Sequence, residues 1–431
     1  MLAVYGVMII VIFLLLIWSK KVSVMVALVM IPVLVGLTAG FAVADIGSFA
    51  LGGIRQVAPT AVMLMFAVLY FSVMLDSGLF DPVIKKVLQL VKGDPVKVAT
   101  GTALLTMLVH LDGDGTATFM IVISAFLPVY QALKMSKLVL AGIVALSVGP
   151  VHLVPWSGTS ARALSVFEAS SAEIFIPNLP AIAAGILWVL FVAWYWGRAE
   201  KRRLGVADFT YSFGENFTPE ERRLRRPGLV GLNAILTTAV IVLLTFEVVP
   251  SPVLFVLASL LALQINYPRL QEQKQVLGRH GNNIFMVVSM IFAAGVFSGI
   301  LTGAGMIEAM ATSLIRVVKA ENSGLLVLFT AITSMPASIL FTPDAYYFGV
   351  LPIIRESASQ LNIDTLQFGR AALLGQMTVG FPLSPLTAST FLLTGMAEVD
   401  LADHQKHTFL WAWGTTLVMT LVAVLTGSIL L

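Results

Sequence analysis

The stretch that decides the fold is His110-Leu111-Asp112-Gly113-Asp114-Gly115-Thr116-Ala117-Thr118, which lies between two segments apolar enough to enter a lipid bilayer. An ionised carboxylate at that depth is costly, so it is found mainly facing a cavity, a partner or an ion. The glycines interrupt a regular helix, and unwound backbone is tolerated at membrane depth only where it lines a protein cavity. This stretch therefore predicts a binding site inside a membrane transporter.

The composition of the whole chain agrees with an integral membrane protein. Of its 431 residues, 58% are hydrophobic and 11% are charged, whereas an average soluble domain is about 25% charged. The absence of cysteine excludes disulfides, thiolate metal sites and cysteine nucleophiles. The chain has no Gly-x-x-x-x-Gly-Lys-[Ser/Thr] or His-Glu-x-x-His motif, so neither ATP hydrolysis nor zinc proteolysis is supported. We expect no enzymatic activity, no permanently bound cofactor and no nucleic-acid partner.

The chain repeats several of its features at one constant spacing. That spacing separates Gly78-Leu79-Phe80-Asp81 from Gly305-Met306-Ile307-Glu308, and also Pro155-Trp156-Ser157 from Pro382-Leu383-Ser384. We therefore predict two repeats and a polar linker between them. Their bounds are 1–197 for the first repeat, 198–227 for the linker and 228–431 for the second repeat.

Each repeat is expected to hold a re-entrant hairpin and a broken transmembrane helix. The hairpins are predicted at about 97–130 and 324–355, and the broken helices at about 138–168 and 369–396. Because a hairpin does not cross the membrane, each repeat has an odd number of crossings, which inverts the second repeat relative to the first. Inverted repeats with discontinuous helices are typical of secondary transporters, whose substrate binds near the membrane midplane. The predicted fold is an all-α membrane protein of two inverted repeats.

The basic residues predict the orientation in the membrane. Leu2–Trp18 is expected to be the first span, and with the N-terminus outside most of the 26 lysines and arginines fall in inside segments. That asymmetry follows the positive-inside rule, so the central linker is predicted to be cytoplasmic. Arg162 is the one basic residue that this topology leaves within the membrane.

The first hairpin tip supplies the strongest site candidates. Two carboxylates in a glycine-rich turn are suited to hold hydroxyls, waters or a hard divalent cation. The competing interpretation is a turn in which each aspartate only caps backbone N–H groups, and His110 is as well explained by packing as by proton transfer. The candidate substrate-binding residues are Asp112, Gly113, Asp114, Gly115 and Thr116. The candidates for proton coupling are His110, Asp112 and Asp114.

The first helix break, which follows Pro155-Trp156, is rich in hydroxyls and ends at Arg162. A helix start presents free N–H groups and a positive dipole end, which favour anions. The planar guanidinium of Arg162 suits a carboxylate, and the alternative for it is an internal ion pair with an aspartate. The candidate substrate-binding residues of this break are Ser157, Gly158, Thr159, Ser160 and Arg162.

The second repeat supplies matching polar residues. Asp344 is the symmetry mate of the first acidic tip and a candidate metal ligand together with Asp112 and Asp114, although a helix-capping role competes with that interpretation. The candidate substrate-binding residues here are Thr342, Pro343, Asp344, Ser384, Thr387 and Ser389.

At these residues the chain resembles the CitMHS family of bacterial metal-citrate transporters, within the ion transporter superfamily. The resemblance runs nearly end to end and is densest at Gln56–Met63, Leu79–Pro82, Leu111–Thr116, Val154–Trp156 and Thr342–Gly349. It implies proton-coupled uptake of citrate complexed with a divalent cation of the Mg²⁺ or Ca²⁺ class. It also implies a homodimer in the bacterial plasma membrane, working as an elevator whose transport domain holds both hairpins.

One run departs from the family pattern. Members of the family carry a Gly-Gly-Pro-Thr type run before the arginine, whereas this chain has Ser157-Gly158-Thr159-Ser160-Ala161-Arg162. The run gains hydroxyls and lacks the proline. Two alternatives within transport stay open, a cation/proton antiporter and a transporter of another di- or tricarboxylate without metal. A membrane enzyme or a structural subunit is the alternative from another class.

Overall fold

The computed structural model describes residues 1–19, 22–91, 93–206, 219–245, 248–315 and 323–430. Within these residues every regular element is helical and no strand is formed. Residues 207–218 of the predicted linker lie outside this description. The all-α class predicted from the apolar runs is therefore what the described chain adopts.

The first half of the chain begins with three helices, continues with a short helix and a hairpin, and ends with a broken helix and a long helix. The bounds are α1 Leu2–Ser19, α2 Val24–Thr38, α3 Val43–Ser77, α4 Asp81–Val91, α5 Pro95–Val109, α6 Gly115–Ala132, α7 Lys137–Val151, α8 Gly158–Phe167 and α9 Ser171–Leu204.

The second half has the same order of elements after a short linker helix. The bounds are α10 Pro219–Leu224, α11 Val230–Thr245, α12 Ser251–Asn266, α13 Leu270–Gly303, α14 Met306–Ile315, α15 Ser323–Leu340, α16 Leu351–Gln360, α17 Leu366–Leu373, α18 Ala388–Met396 and α19 Leu401–Leu425. A π-helical turn, Ala345–Val350, joins directly onto α16.

These elements show where the predicted hairpins and breaks fall. The predicted hairpin 97–130 lies within α5 and α6, and 324–355 runs through α15 and the π-helical turn into α16. The predicted break regions 138–168 and 369–396 correspond to the pairs α7–α8 and α17–α18. Helix α9 continues to Leu204, so the start of the predicted linker is helical.

Six helical segments of the described chain are long and apolar enough to cross a membrane by length and composition. They are Val43–Ser77, Gly115–Ala132, Ser171–Leu204, Arg222–Leu244, Ile284–Gly303 and Leu401–Leu425. Five shorter apolar helices accompany them. Because a hairpin arm or half of a broken helix does not need to span the bilayer alone, the shorter helices fit the predicted discontinuous elements.

The two longest helices of the first and second halves, α3 and α13, cross in close contact. A Cβ on Gly53 would collide with the backbone carbonyl of Gly295 and lie against the Cα of Gly299. Small residues let membrane helices approach closely, and there the packing itself stabilises the association. Helices α3 and α13 therefore form a closely packed pair, which makes up one wall of the cavity described next.

Candidate functional site

A cavity of about 950 Å³ lies between the α3–α13 pair and the tips of the hairpins and broken helices. Both hairpin tips and both breaks contribute to its wall, so residues far apart in sequence meet there. The predicted site residues that line it are Asp112, Gly113, Asp114, Gly115, Thr116, Gly158, Thr159, Arg162, Pro343, Thr387 and Ser389. The structure thus brings polar residues of both halves to one cavity.

The remaining predicted site residues lie behind this wall and hold its shape. Ser157 accepts a hydrogen bond from the N–H of Ser160 at 3.1 Å and so begins α8. The Thr342 hydroxyl accepts from the N–H of Ala345 at 3.2 Å, and the Ser384 hydroxyl donates to the carbonyl of Ser338 on α15. Ser157, Ser160, Thr342, Asp344 and Ser384 do not line the cavity.

The first hairpin tip is a tight turn that its own carboxylates stabilise. Oδ1 of Asp112 accepts from the N–H of Asp114 at 2.9 Å, and Oδ1 of Asp114 accepts from the N–H of Thr116 at 2.9 Å. Gly113 has a φ of 77°, a left-handed conformation that glycine adopts without strain. The turn interpretation of the sequence is therefore present in the structure, and both aspartates also line the cavity.

Arg162 connects the first broken helix to the second hairpin. Its Nε donates to Oδ1 of Asp344 at 2.8 Å, and its Nη1 donates to the carbonyl of Gly158 at 2.8 Å. Their side chains are 16% and 8% exposed, so the pair is largely withdrawn from water. The internal ion pair considered for Arg162 is thus formed, while Arg162 itself still lines the cavity.

The three candidate metal ligands are not assembled into one centre. Asp112 and Asp114 share the first tip, whereas Asp344 is engaged by Arg162. In the described ranges, no group of three or more histidine, aspartate or glutamate side chains is arranged to hold a metal ion. The tip offers two carboxylates to a cation that brings its other oxygen ligands with it.

Two buried histidines lie behind the tip. His110 and His152 stack with ring centroids 5.0 Å apart, and Nε2 of His110 lies 2.8 Å from Nδ1 of His152. Nδ1 of His110 lies 2.9 Å from the Thr118 hydroxyl, and Nε2 of His152 lies 3.2 Å from the Thr159 hydroxyl. One hydrogen-bonded chain therefore runs from the first hairpin to the first helix break.

The hydroxyls at the two ends of this chain limit where its protons sit. Thr118 donates to the carbonyl of Asp114 at 2.9 Å, and Thr159 donates to the carbonyl of Met377 at 3.0 Å. A hydroxyl has one proton to donate, so both threonines then accept from the histidines. That arrangement needs three N–H protons on the two rings and gives the pair one positive charge. A neutral pair requires one hydroxyl to turn toward a ring.

Aromatic side chains close the cavity around these groups. Trp156 donates from Nε1 to the carbonyl of Leu111 at 2.7 Å and stacks on Phe71 of α3, with centroids 5.4 Å apart. Phe381, which begins the second break, packs against His152 with centroids 4.8 Å apart. The hairpin tip is thus held to both broken helices through rings as well as hydrogen bonds.

Sequence reasoning missed His152 and Phe381 as members of the site. His152 stands in the first break and Phe381 directly precedes Pro382 of the second, so proximity to the breaks was the available signal. It also missed charged residues that line the cavity on α3, α4, α13 and the linker. These are Asp76, Asp81, Arg225, Arg279 and His280.

An all-helical fold with apolar helices of spanning length, and with two interrupted helices meeting at a polar cavity, is that of a membrane solute transporter. The family model described as citrate transporter, CitMHS, matches residues 13–375, and the chain belongs to this family. The family membership predicted from the motifs is thereby confirmed, and the chain is a multi-pass membrane protein.

Relatives along the full length are also transporters. The chain is 48% identical over 429 residues to a citrate transporter of Bacillus subtilis, and 44% identical over 431 residues to a Mg²⁺/citrate complex secondary transporter of the same organism. These alignments cover all of this chain and 100% and 99% of the two relatives. The predicted transport role, rather than an enzymatic one, is confirmed by these names.

A solved structure shares the fold at low sequence identity. The YdaH transporter of Alcanivorax borkumensis, whose crystal structure is described as having an unusual topology, matches with a TM-score of 0.61 and 15% identity. The match covers 88% of this chain and 87% of that one. It supports the fold class predicted for the chain.

Proposed function

We propose that this protein takes up citrate complexed with a divalent cation of the Mg²⁺ or Ca²⁺ class, coupled to protons, across the bacterial plasma membrane. The observation that carries the proposal is the meeting of Asp112 and Asp114 with Arg162 and the start of α8 in one cavity. Carboxylates suit the metal of the complex, and the guanidinium and helix start suit its carboxylates. The similarity to a Mg²⁺/citrate complex transporter supports the same cargo.

The charge of the site favours the complex over bare citrate. A citrate trianion would need strong positive compensation in a low-dielectric environment. We call the part of the cavity at the hairpin tips and helix breaks its deep end. It holds Arg162, which is already paired with Asp344, and the two tip carboxylates. A divalent metal lowers the charge of the cargo to that of a single anion, which fits a site holding charges of both signs.

The histidine chain provides a candidate for proton coupling. One proton more or less on His110 and His152 must turn the hydroxyl of Thr118 or Thr159, and Thr159 bonds the carbonyl of Met377 between α17 and α18. Asp112, Asp114 and Arg162 are the charged residues of the hairpin tips and helix breaks that line the same cavity as His152. Protonation is therefore proposed to alter how the two broken helices are joined, with the tip carboxylates as alternative proton carriers.

The transport movement is proposed to be that of an elevator. The hairpins and broken helices form one wall of the cavity and the α3–α13 pair forms the other. In the proposed cycle, the first group moves as a unit against the second and carries the cargo with it. The outside N-terminus and cytoplasmic linker remain predictions from charge, and the homodimer is proposed on the family resemblance.

The direct test is uptake of labelled citrate into proteoliposomes with Mg²⁺, with Ca²⁺ or with a chelator. We expect uptake with at least one of these cations and loss of uptake when the chelator removes it, and an imposed proton gradient should accelerate the supported uptake. Uptake that ignores both cations and chelator would contradict the metal complex. Uptake that ignores the gradient would contradict proton coupling alone.

One observation favours a cation/proton antiporter as a second candidate. Because Asp344 satisfies Arg162, the tip carboxylates dominate the deep end of the cavity. An antiporter would show divalent-cation flux coupled to protons without any organic anion. The same vesicles, assayed without citrate, distinguish the two functions.

A further inference from the structure

A separate group of charged residues lines the cavity around the C-terminal end of α3. We call Asp76, Asp81, Arg225, Arg279 and His280 the mouth residues; all five line the cavity. They lie on α3, α4, the end of the linker and α13, and none belongs to a hairpin or a broken helix. In the proposed elevator they would stay in place. The site at the hairpin tips and helix breaks, which we call the deep site, would move.

Most of the mouth residues are fixed by contacts at the end of α3. Nε of Arg225 lies 2.8 Å from Oδ2 of Asp81, and its Nη1 donates to the carbonyls of Leu75 and Asp76 at 2.9 and 3.0 Å. Nε2 of His280 lies 2.8 Å from Oδ2 of Asp76. The guanidinium of Arg225 is favourable at the C-terminus of α3. Both acids of the mouth are already partnered, Asp81 by Arg225 and Asp76 by His280.

The carboxyl group of Asp81 is partly buried in this arrangement, and burial affects its pKa. Burial raises the pKa of Asp81 above its ordinary value, and the charge and hydrogen bond of Arg225 lower it by less. The Asp81 carboxylate is thus partly removed from water and paired with Arg225. Because Arg225 is occupied by Asp81, Arg279 is the mouth guanidinium that can meet an anionic cargo.

Arg279 is engaged more loosely than Arg225. Its Nη1 lies 3.7 Å from Oε1 of Glu220, whose side chain is 60% exposed, whereas a charge-assisted hydrogen bond is about 2.7–2.9 Å long. Arg279 is itself 35% exposed and is followed on α13 by His280. Its guanidinium can therefore exchange a distant, hydrated carboxylate for one on a passing ligand.

We propose that Arg279 forms a second carboxylate-binding site at the mouth, which holds a di- or tricarboxylate between the water and the deep site. The inference rests on the proposed function and adds a contact on the fixed wall of the cavity. The loosely paired guanidinium of Arg279 lines the cavity and suits a carboxylate of the ligand. Because these residues lie in segments predicted to be cytoplasmic, the site serves exchange with the inner face.

The matched test compares Arg279→Gln with Lys274→Gln. Both residues lie on α13 and both variants remove one positive charge, but Lys274 is exposed and does not line the cavity. KM for labelled citrate with Mg²⁺ is measured in right-side-out and inside-out vesicles. We expect Arg279→Gln to raise KM about three- to tenfold from the cytoplasmic face, with less than about a twofold change from the other face, because a partly exposed charge acts mainly on local ligand capture.

Two further measurements test whether the effect comes from the charge of Arg279. Arg279→Lys keeps the charge and should recover most of the lost affinity, and added NaCl should shrink the difference between wild type and Arg279→Gln because exposed charges are screened. An unchanged KM at both faces, equal changes at both faces, or an equal effect of Lys274→Gln would overturn the mouth site while citrate transport by the wild type stands. A wild type that moves no citrate from either face would overturn the proposed function and the mouth site together.

Discussion

Nε of Arg162 donates to Oδ1 of Asp344 at 2.8 Å, and this bond joins the first broken helix to the tip of the second hairpin. The two residues are 182 positions apart in the sequence. The pair therefore ties together one discontinuous element from each half of the chain at the edge of the cavity. Because the pair is buried, removal of either residue leaves the charge of the other without compensation.

Removing one partner of this pair should destabilise the protein. Arg162→Ala leaves Asp344 buried without its cation, and breaking such a pair costs about 3–5 kcal/mol. We expect a lower melting temperature in detergent and loss of uptake. Arg162→Gln combined with Asp344→Asn should recover part of the stability, because no buried charge remains, without recovering uptake. Unchanged stability in the single variants Arg162→Ala and Asp344→Asn would show that the pair is dispensable.

Substitution of the tip carboxylates is expected to reduce transport while changing thermal stability little. Asp112→Asn and Asp114→Asn keep an amide oxygen that accepts the backbone N–H bonds of the turn, so thermal stability should change little. Each loses its charge toward the cation, and uptake of citrate with Mg²⁺ should fall at least about tenfold, since hydrogen bonds and contacts to charged groups are worth about 1.5–3 kcal/mol. Thr116→Ser, which keeps the N–H and the hydroxyl, serves as the control. Full uptake by both asparagine variants would remove these residues from the site.

The histidine chain predicts a selective loss of proton coupling. His152→Gln removes the ring that links His110 to Thr159, while citrate binding groups stay in place. We expect uptake driven by a proton gradient to fall at least about tenfold, within the usual range for a lost proton-transfer group, while citrate-for-citrate exchange persists. Thr159→Val keeps both histidines and should shift the pH dependence of uptake. Equal loss of exchange and gradient-driven uptake in His152→Gln would instead indicate a structural role.

An ion pair outside the membrane predicts a pH effect on stability. Nζ of Lys201, at the end of α9, lies 2.7 Å from Oδ2 of Asp94 at the start of α5. Burial would raise the pKa of Asp94, but the hydrogen bonds from Lys201 and the N–H of Val96 lower it below the ordinary 3.8 overall. A lowered carboxyl pKa stabilises the fold above pH 3.8, and the gain is lost as the pH falls further through the lowered value.

Lys201→Gln should therefore melt about 1–2 °C below wild type at pH 6, as befits a partly exposed pair. The difference should vanish as the pH falls below 3.8. Lys97→Gln, a nearby exposed residue whose charge acts on Asp94 without a hydrogen bond, is the control and should show a smaller difference. A constant difference from pH 6 downward would contradict the assigned cause.

The sequence predicts the tip, the breaks and Arg162 for a physical reason. Asp112 and Arg162 lie in apolar segments, where a charged residue indicates a functional site even when its neighbours in the fold are unknown. The partner of Arg162 was left open among the aspartates, because only the folded chain brings Asp344 within reach. The repeat led us to expect the same order of elements in both halves, because matching patterns favour matching helices.

The rest of the site depends on tertiary contacts that carry no local signal. His152 gains its importance from stacking on His110, and a lone histidine in an apolar run does not reveal that partner. Asp76 and His280 are 204 positions apart and meet only because α3 and α13 cross at Gly53 and Gly295. The mouth is therefore visible in the structure and not in the sequence.

The central claim is that metal and citrate share one cavity and cross together. Its most direct test is the ratio of divalent cation to labelled citrate that enters proteoliposomes, with a trapped fluorescent indicator reporting the cation. The account predicts about one cation per citrate, and the loss of both fluxes together in Asp112→Asn. Citrate entering with no accompanying cation, or cation entering at the same rate without citrate, would contradict it.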